Sequence, residues 1–542
     1  MNEIQIFSFS AFGYEGEIIK VEADLKTGLP VAEIVGLPGS AVKEARDRMR
    51  VAIKNSGFEF PLMRILINLS PASEKKDGSG FDLPIAVAVL NSKQVYSEKD
   101  ENDANTEDEN PKKSVLIIGE LELSGTVRPV YGVLGAISAG IENGIKNFIV
   151  PFENKDEALI PGNVNVYGVK NLNEAMDSFA KIKSGLNFLQ YNNISIANER
   201  KIIWSDEGNL KEDYSDVRGQ ESLLRSIEIA AAGGHNLLVY GPPGCGKTLS
   251  LIRFSSLLPD LDFKTAQQVT RIYSIAGLLP KGSQNSILMK RPPFRMPHQN
   301  ASLEGIIGGA GKCMPGEISL AHGGVLFLDE ANQFKAAVLQ SLRAPLETGI
   351  VSLSRAERRT TFPARFQLLA AVNPCPCGNL GAENKFCTCP PVSVEKYWKK
   401  LTAPLLDRID LRIYVEAPTA ESLLGVKTKS TAEIRHTIKS VYEIQIDRNM
   451  YYILKTDNNT NNWKNSNLSS EEINKICLLT DEARRGFEAI SEEKSLSGRG
   501  SHAILKIART IADIEASEKI TVAEIEEAIA MRSWVSFLPD FL

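Results

Sequence analysis

The stretch GPPGCGKT, residues 241–248, follows directly on the apolar run NLLVY and precedes the helical pattern LSLIRFSSLL. Gly241, Gly246, Lys247 and Thr248 stand at the spacing G-x-x-x-x-G-K-[ST], with Pro242, Pro243, Gly244 and Cys245 between them. Glycines let backbone N–H groups close on phosphate oxygens. Lys247 is then placed to reach the β and γ phosphates, and the Thr248 hydroxyl to ligate Mg²⁺. With a strand before the loop and a helix after it, the segment predicts a P-loop α/β/α domain that binds ATP.

A second motif lies downstream. GGVLFLDE (323–330) is an apolar strand ending in two carboxylates. Asp329 is expected to hold Mg²⁺ through water, and Glu330 to polarise the water that attacks the γ phosphate. Hydrolysis also needs a polar group that senses the γ phosphate and a cation that offsets developing charge. Asn373, at the end of FQLLAAVN, is the candidate sensor. Arg408, in PLLDRIDL, is the candidate arginine finger for a neighbouring subunit's nucleotide, and Arg499, in SLSGRGSHAILKIART, a candidate for the γ phosphate of its own subunit. Singly, each arginine reads as an ordinary surface residue. Their order after the two phosphate motifs is what raises them.

The 542 residues suffice for three or four domains, and 43% hydrophobic with 24% charged residues is the composition of a soluble globular chain. No apolar run approaches the roughly 20 residues that span a bilayer. A cytoplasmic protein with no membrane contact is expected. The net charge of −5 excludes a basic coat over the whole chain, yet the segment 216–415 carries 23 Lys/Arg against 15 Asp/Glu. This leaves room for an anionic partner at the centre, or for ordinary solvated surface.

Residues 1–180 alternate short β-rich runs such as VLIIGELEL and NFIVP with helical patterns such as AVKEARDRMRVAIKNSG, which predicts a mixed α/β domain. Within it the acidic stretch 97–110 reads as a disordered loop. A connector, 181–215, leads to the nucleotide domain, 216–416, and a helical domain follows at 417–542. Ser469 with Glu472 and Thr521 with Glu524 are capping-box patterns at helix starts, and the Asn-rich stretch 456–467 reads as a surface loop.

Of seven cysteines, four fall in NPCPCGNLGAENKFCTC, as the pairs Cys375/Cys377 and Cys387/Cys389. Two close pairs can surround one tetrahedral Zn²⁺ as a closed structural site. Free buried thiols and a redox disulfide are the other readings.

Taken together, GPPGCGKT, RPPFRMPHQNAS, PGEISLAHGGVLFLDE, LRAPLETG, NPCPCG, PLLDRIDL and SLSGRGSHAILKIARTIADIE resemble the magnesium-chelatase-like AAA+ ATPases of the YifB/ComM group over nearly the whole chain. Departures occur at Gln299, where the family repeats histidine, and in the acidic loop. The resemblance implies a ring, expected to be a hexamer, that hydrolyses ATP, with ComM-type DNA helicase activity promoting branch migration during natural transformation. A chelatase-type motor remodelling a protein partner is the alternative. In such rings a hairpin at VSLSRAERRTTFPARF points into the pore, making Arg355, Arg358 and Arg359 candidate DNA contacts, with a solvated turn as the plain reading. RPPFRMPHQN offers a second candidate, Phe294 stacking between Arg291 and Arg295, though the ring suits core packing equally.

The segments 75–90 and 119–151 are similar to the proteolytic domain of Lon proteases, which implies a ribosomal protein S5 domain 2-like fold for the leading domain. Lon chemistry needs a serine nucleophile and a lysine base. In this sequence Gly80 stands where the serine belongs and Leu134 where the lysine belongs, while Ser79 has only Lys75 and Lys76 nearby, in a stretch that reads as solvated. Proteolysis is therefore not expected, and the domain reads as an assembly or partner-binding module.

Overall fold

A computed structural model describes residues 4–72, 76, 78–99, 113–185, 204, 213–279, 287–309, 313–355, 358–382, 385–419, 421, 428–453, 463–494 and 496–534. Two sheets organise the chain. The first has seven strands: β1 (Gln5–Phe12), β2 (Glu15–Lys26), β3 (Ala32–Val35), β4 (Arg64–Ser70), β5 (Ser114–Ile117), β6 (Asn147–Pro151) and β7 (Asn165–Val169), in the order β3-β4-β2-β1-β5-β6-β7. Pairings β1/β2 and β2/β4 are antiparallel and the others parallel. Helices α1 (Ser40–Asn55), α2 (Asp82–Lys99) and α3 (Val133–Glu142) cover it. Helix α2 takes in the first residues of the acidic stretch, and the remainder of that stretch lies outside the described residues.

The second sheet has five strands, all parallel: β8 (Leu237–Tyr240), β9 (Phe294–Arg295), β10 (Val325–Leu328), β13 (Gln367–Val372) and β14 (Leu411–Tyr414), in the order β9-β10-β13-β8-β14. An antiparallel hairpin, β11 (Ile350–Arg355) and β12 (Arg358–Pro363), lies between β10 and β13 in sequence. Strands β8 and β10 are wholly apolar and β13 nearly so, because both faces of the sheet are covered. Leu237, Val239, Val325, Phe327, Leu369 and Ala371 point to one side, against α4 (Glu221–Gly233) and the carboxy-terminal helices. Leu238, Tyr240, Leu326, Leu328, Leu368 and Ala370 point to the other, against Val269, Ile272 and Tyr273 of α6 (Phe263–Ile275) and against Trp398. Helix α5 (Lys247–Ile252) follows β8.

Beyond β14 the described elements are helical, with α7 (Thr431–Ile453), α8 (Gly498–Ile514) and α9 (Val522–Ala530) as the main ones. It docks through His235, whose ring nitrogens meet the Thr510 hydroxyl at 2.8 Å and the Asp410 carboxylate at 3.2 Å. The reciprocal box at Ser469 forms, Ser469 Oγ accepting from the Glu472 N–H and the Glu472 carboxylate accepting from the Ser469 N–H. The Asn-rich stretch departs from the surface-loop reading in its described part: Asn465 is buried and donates to Asp513 at 2.8 Å and Thr510 at 3.1 Å. Its carboxamide satisfies buried partners that no local pattern announces. No helix among the described residues is long and apolar enough to cross a membrane.

Among the described residues the two sheets are joined at two places. The turn between β1 and β2 sits on the β11–β12 hairpin: the Tyr14 N–H donates to Thr360 Oγ1 at 3.0 Å, and Tyr14 packs edge-on against Phe362. A Cβ on Gly13 would lie 2.3 Å from the Thr360 methyl, and the residue holds φ 58°, so both space and backbone require glycine. The second joint is between α3 and α6, where Ser274 Oγ accepts from the Gly132 N–H at 2.9 Å and donates to the buried Glu157 carboxylate.

Candidate active site

Strand register brings three loops to one edge of the five-stranded sheet. Tyr240 pairs with Val372, and Leu328 with Ala370. The loop after β8, Asp329 after β10 and Asn373 after β13 therefore leave the carboxy ends of neighbouring strands together, the place where open α/β sheets receive ligands.

In the loop, Gly244 and Gly246 both hold φ 84°, a conformation that strains any side chain. Gly241 is required by space, since a Cβ there would stand 2.1 Å from the Val415 carbonyl oxygen. Lys247 begins α5 and is buried; its ammonium donates to the carbonyls of Gly241 at 2.6 Å and Pro242 at 2.8 Å and lies 3.3 Å from Asn373 Oδ1. Burial lowers its pKa, while Cys245, Asp329 and Glu330 oppose that shift. The Thr248 hydroxyl lies 3.1 Å from each oxygen of Asp329. Glu330 holds a left-handed backbone, φ 49°, with its N–H on Asp329 Oδ1 at 3.1 Å and its side chain exposed. A non-glycine residue in that region is strained, and such strain collects at working sites. The donor set suits its expected guests: a hydroxyl and a carboxylate are hard oxygens fit for Mg²⁺, and an ammonium beside a glycine loop fits phosphate.

The two arginine candidates meet on one carboxylate. The Arg408 carbonyl accepts from Asn236 Nδ2 at 2.8 Å, and Asn236 precedes β8, whereas the phosphate loop follows it. Four strand residues, about 13 Å at 3.3 Å per residue, separate those two levels. Arg408 pairs with Glu347, and Arg499 donates to the same carboxylate at 2.9 Å. Within the chain, Arg499 is thus engaged beside Arg408 on Glu347.

The four cysteines converge. Cys375 Sγ is 3.3 Å from Cys377 Sγ and 3.6 Å from Cys387 Sγ, Cys377 is 3.7 Å from Cys387, and all four sulfurs, Cys389 included, lie within 4.8 Å of one another. Zinc–thiolate bonds of about 2.3 Å in a tetrahedron set sulfurs about 3.8 Å apart. Of the four only Cys375 is buried, so a cluster of buried thiols does not describe them.

In the hairpin, Arg355 pairs in register with Arg358, Arg359 is exposed, and Arg358 stacks over Phe12 at 4.7 Å and lies 3.7 Å from Glu17. Arg358 is thus part of the joint with the first sheet. Of the two readings of RPPFRMPHQN, packing prevails: Phe294 meets Phe327 at 6.1 Å, and Arg295 forms a bidentate pair with Glu317 at 2.7 and 2.8 Å. At the Lon-like positions, Leu134 is buried with its N–H on Glu157 at 2.9 Å, and the Gly80 carbonyl accepts from Gly119. Lys76 is not solvated, as its sequence context suggested: Gly39 and Leu37 hold its backbone, and its buried ammonium donates to the Pro71 carbonyl.

Glu347 is the residue that motif spacing missed. It sits within LRAPLETG, and its partners arrive from the distant segments at 408 and 499.

Three family models cover most of the chain: magnesium chelatase, subunit ChlI, at residues 213–423; subunit ChlI of Mg-chelatase at 21–154; and the ChlI C-terminal model at 428–532. An uncharacterised protein of Escherichia coli, YifB, is 38% identical over 97% of this chain and 96% of its own length. The competence protein ComM of Haemophilus influenzae is 36% identical over 98% of both chains. The chain belongs to the YifB/ComM family of magnesium-chelatase-like AAA+ proteins. The Lon protease of Trichlorobacter lovleyi is 26% identical over 30% of this chain and 20% of the protease, so the likeness to Lon is partial.

Proposed function

We propose that the protein is an ATP-hydrolysing ring motor that acts on branched or single-stranded DNA, as a ComM-like helicase. The observation that carries the ATPase reading is the meeting of Lys247, Thr248, Asp329 and Asn373 at one sheet edge. In this reading Lys247 exchanges its two carbonyl partners for the β and γ phosphates of ATP. Thr248 and Asp329 hold Mg²⁺, which supplies neutralising charge for the phosphates. Glu330 takes the proton of the attacking water, and the Asn373 carboxamide orients beside the γ phosphate. Arg408 serves as the finger at the boundary between subunits of a homo-oligomer, hexameric by resemblance, and Arg499 serves the γ phosphate of its own subunit. Arg359, with Arg355, is the remaining hairpin candidate for DNA. Residues 1–180, 181–215, 216–416 and 417–542 are taken as Lon-like domain, connector, ATPase and helical lid, in a cytoplasmic protein. The four cysteines hold Zn²⁺.

A family description that names magnesium chelatase throughout favours a second reading, a motor that remodels a metal-inserting protein partner. One experiment separates the two. The purified protein is assayed for ATP hydrolysis and for branch migration of a synthetic four-way junction. ATP-dependent migration supports the DNA motor; hydrolysis without DNA binding at low salt, with rings assembled, overturns it.

A further inference from the structure

The sulfur cluster touches the candidate nucleotide site at two points. Gly378, directly after Cys377, is buried against the phosphate loop: it holds φ 80°, and a Cβ there would lie 2.7 Å from Cδ of Pro243. At the other end of the same turn, Cys375 is two residues from Asn373, whose Oδ1 faces the Lys247 ammonium at 3.3 Å. The residue between them is pinned, since the Trp398 indole donates to the Pro374 carbonyl at 2.9 Å.

Cys377 is exposed and Phe386 is 95% exposed, while Leu380 packs against the core and the Tyr414 hydroxyl donates to the Gly381 carbonyl at 3.2 Å. A cross-link between the two ends of such a turn lowers its conformational freedom. The four sulfurs stand where a tetrahedral metal would make that cross-link, joining the segment at 375–377 to that at 387–389.

We propose that Zn²⁺ on Cys375, Cys377, Cys387 and Cys389 clamps this turn onto the phosphate loop, so that metal and nucleotide bind with positive coupling. The inference rests on the nucleotide reading above and adds regulation of that site by metal occupancy. The metal takes no part in the chemistry of ATP. It sets the wall of the loop at Pro243 and the position of the Asn373 carboxamide. Coupling of this kind is reciprocal: nucleotide must protect the metal by the same factor by which the metal tightens nucleotide.

Full-length, tag-free protein purified under reducing conditions tests it. Zinc content is measured first, then zinc release to a chromogenic chelator with and without ADP, and binding of a fluorescent ATP analogue before stripping, after stripping and after Zn²⁺ is restored. The expected results are one zinc per chain, release slowed about 5-fold or more by ADP, and analogue affinity that falls on stripping and returns with Zn²⁺. Gly378→Ala touches no sulfur, so it should keep its zinc yet lose the protection by ADP, because its Cβ pushes the turn off Pro243. Stoichiometric zinc released equally fast with and without ADP overturns the clamp and leaves the nucleotide reading intact. Zinc near zero overturns the metal itself. Failure of the zinc-loaded protein to bind nucleotide overturns the nucleotide reading and the coupling with it.

Discussion

Arg408 and Arg499 close on one carboxylate, Arg408 on Oε2 of Glu347 and Arg499 on Oε1 at 2.9 Å. The bond from Arg408 is the main cause that holds the Glu347 carboxyl below its ordinary range. The Arg408 carbonyl lies at the amino end of β8, where it accepts from Asn236. A cation stabilises a transition state only beside the charge that develops there. In the ring proposed above, the surface carrying Arg408 would be the one that meets a neighbouring subunit's nucleotide.

Arg408→Ala should therefore keep nucleotide affinity and lose about 10³-fold or more in turnover, the range in which arginine fingers act. Mixed with Lys247→Ala protein, it should regain part of the activity, because some boundaries then join an intact loop to an intact arginine. Steady-state ATPase across a series of mixing ratios reads this. No recovery at any ratio, with mixed rings verified, counts against action across the boundary.

Glu330→Gln and Lys247→Ala should separate binding from chemistry. Gln keeps the strained backbone and leaves Asp329 and Thr248 in contact, but it cannot accept a proton, so turnover should fall about 10²- to 10⁴-fold with nucleotide still bound. Removing the Lys247 ammonium should weaken nucleotide binding as well. Equilibrium binding and single-turnover hydrolysis on both variants provide the check. Normal turnover in the Gln variant rules out the role given to Glu330.

The placing of Lys247, Thr248, Asp329 and Asn373 was legible because each ends or begins an element whose apolar run is unmistakable, and parallel pairing then aligns the strand ends. Glu347 was not legible, since its two partners approach from far along the chain and no spacing encodes that approach. The same holds for Gly378 against Pro243 and for Arg358 over Phe12. Lys76 and Asn465 misled for a related reason: polar residues in polar stretches read as solvated, yet both are buried with their side chains hydrogen-bonded. Composition reports polarity, and only tertiary contact reports whether water or protein satisfies it.

The hairpin arginines should now divide. Arg359 is exposed, and Arg359→Ala should weaken single-stranded DNA binding and reduce its salt dependence by about one released counterion per lost phosphate contact. Arg358→Ala should act mainly on the joint with the first sheet, through the lost stacking on Phe12 and the lost pairing with Glu17. Its effect should appear in thermal stability, by about 1–2 kcal/mol, with a smaller change in the salt slope. Titrations of a fluorescent oligonucleotide at several salt concentrations, beside thermal melts, read both. An unchanged slope in Arg359→Ala makes that residue ordinary surface charge.

Glu157 gives the second joint a dependence on pH. Its carboxylate is buried, accepting from the Leu134 N–H, the Ser274 hydroxyl and, on its other oxygen, the Asn154 carboxamide at 3.2 Å. Burial raises its pKa above the ordinary 4.5, outweighing the lowering by those three bonds. A carboxyl whose pKa is raised by folding binds its proton more tightly in the native state. The stability it contributes is then fully present below 4.5 and is lost as pH rises through the raised value. Glu157→Gln keeps an oxygen for Leu134 and Ser274 and carries no charge at any pH, at the expense of facing its amide toward Asn154. The variant should be less stable than the parent in acid and should gain on it steadily as pH climbs above 4.5, by up to about 1.4 kcal/mol for each pH unit across the titration. The difference between the two melting curves isolates this group, since every other titration is shared. A difference that stays flat with pH would mean that Glu157 titrates alike in folded and unfolded chains, and that the α3–α6 joint is indifferent to its charge.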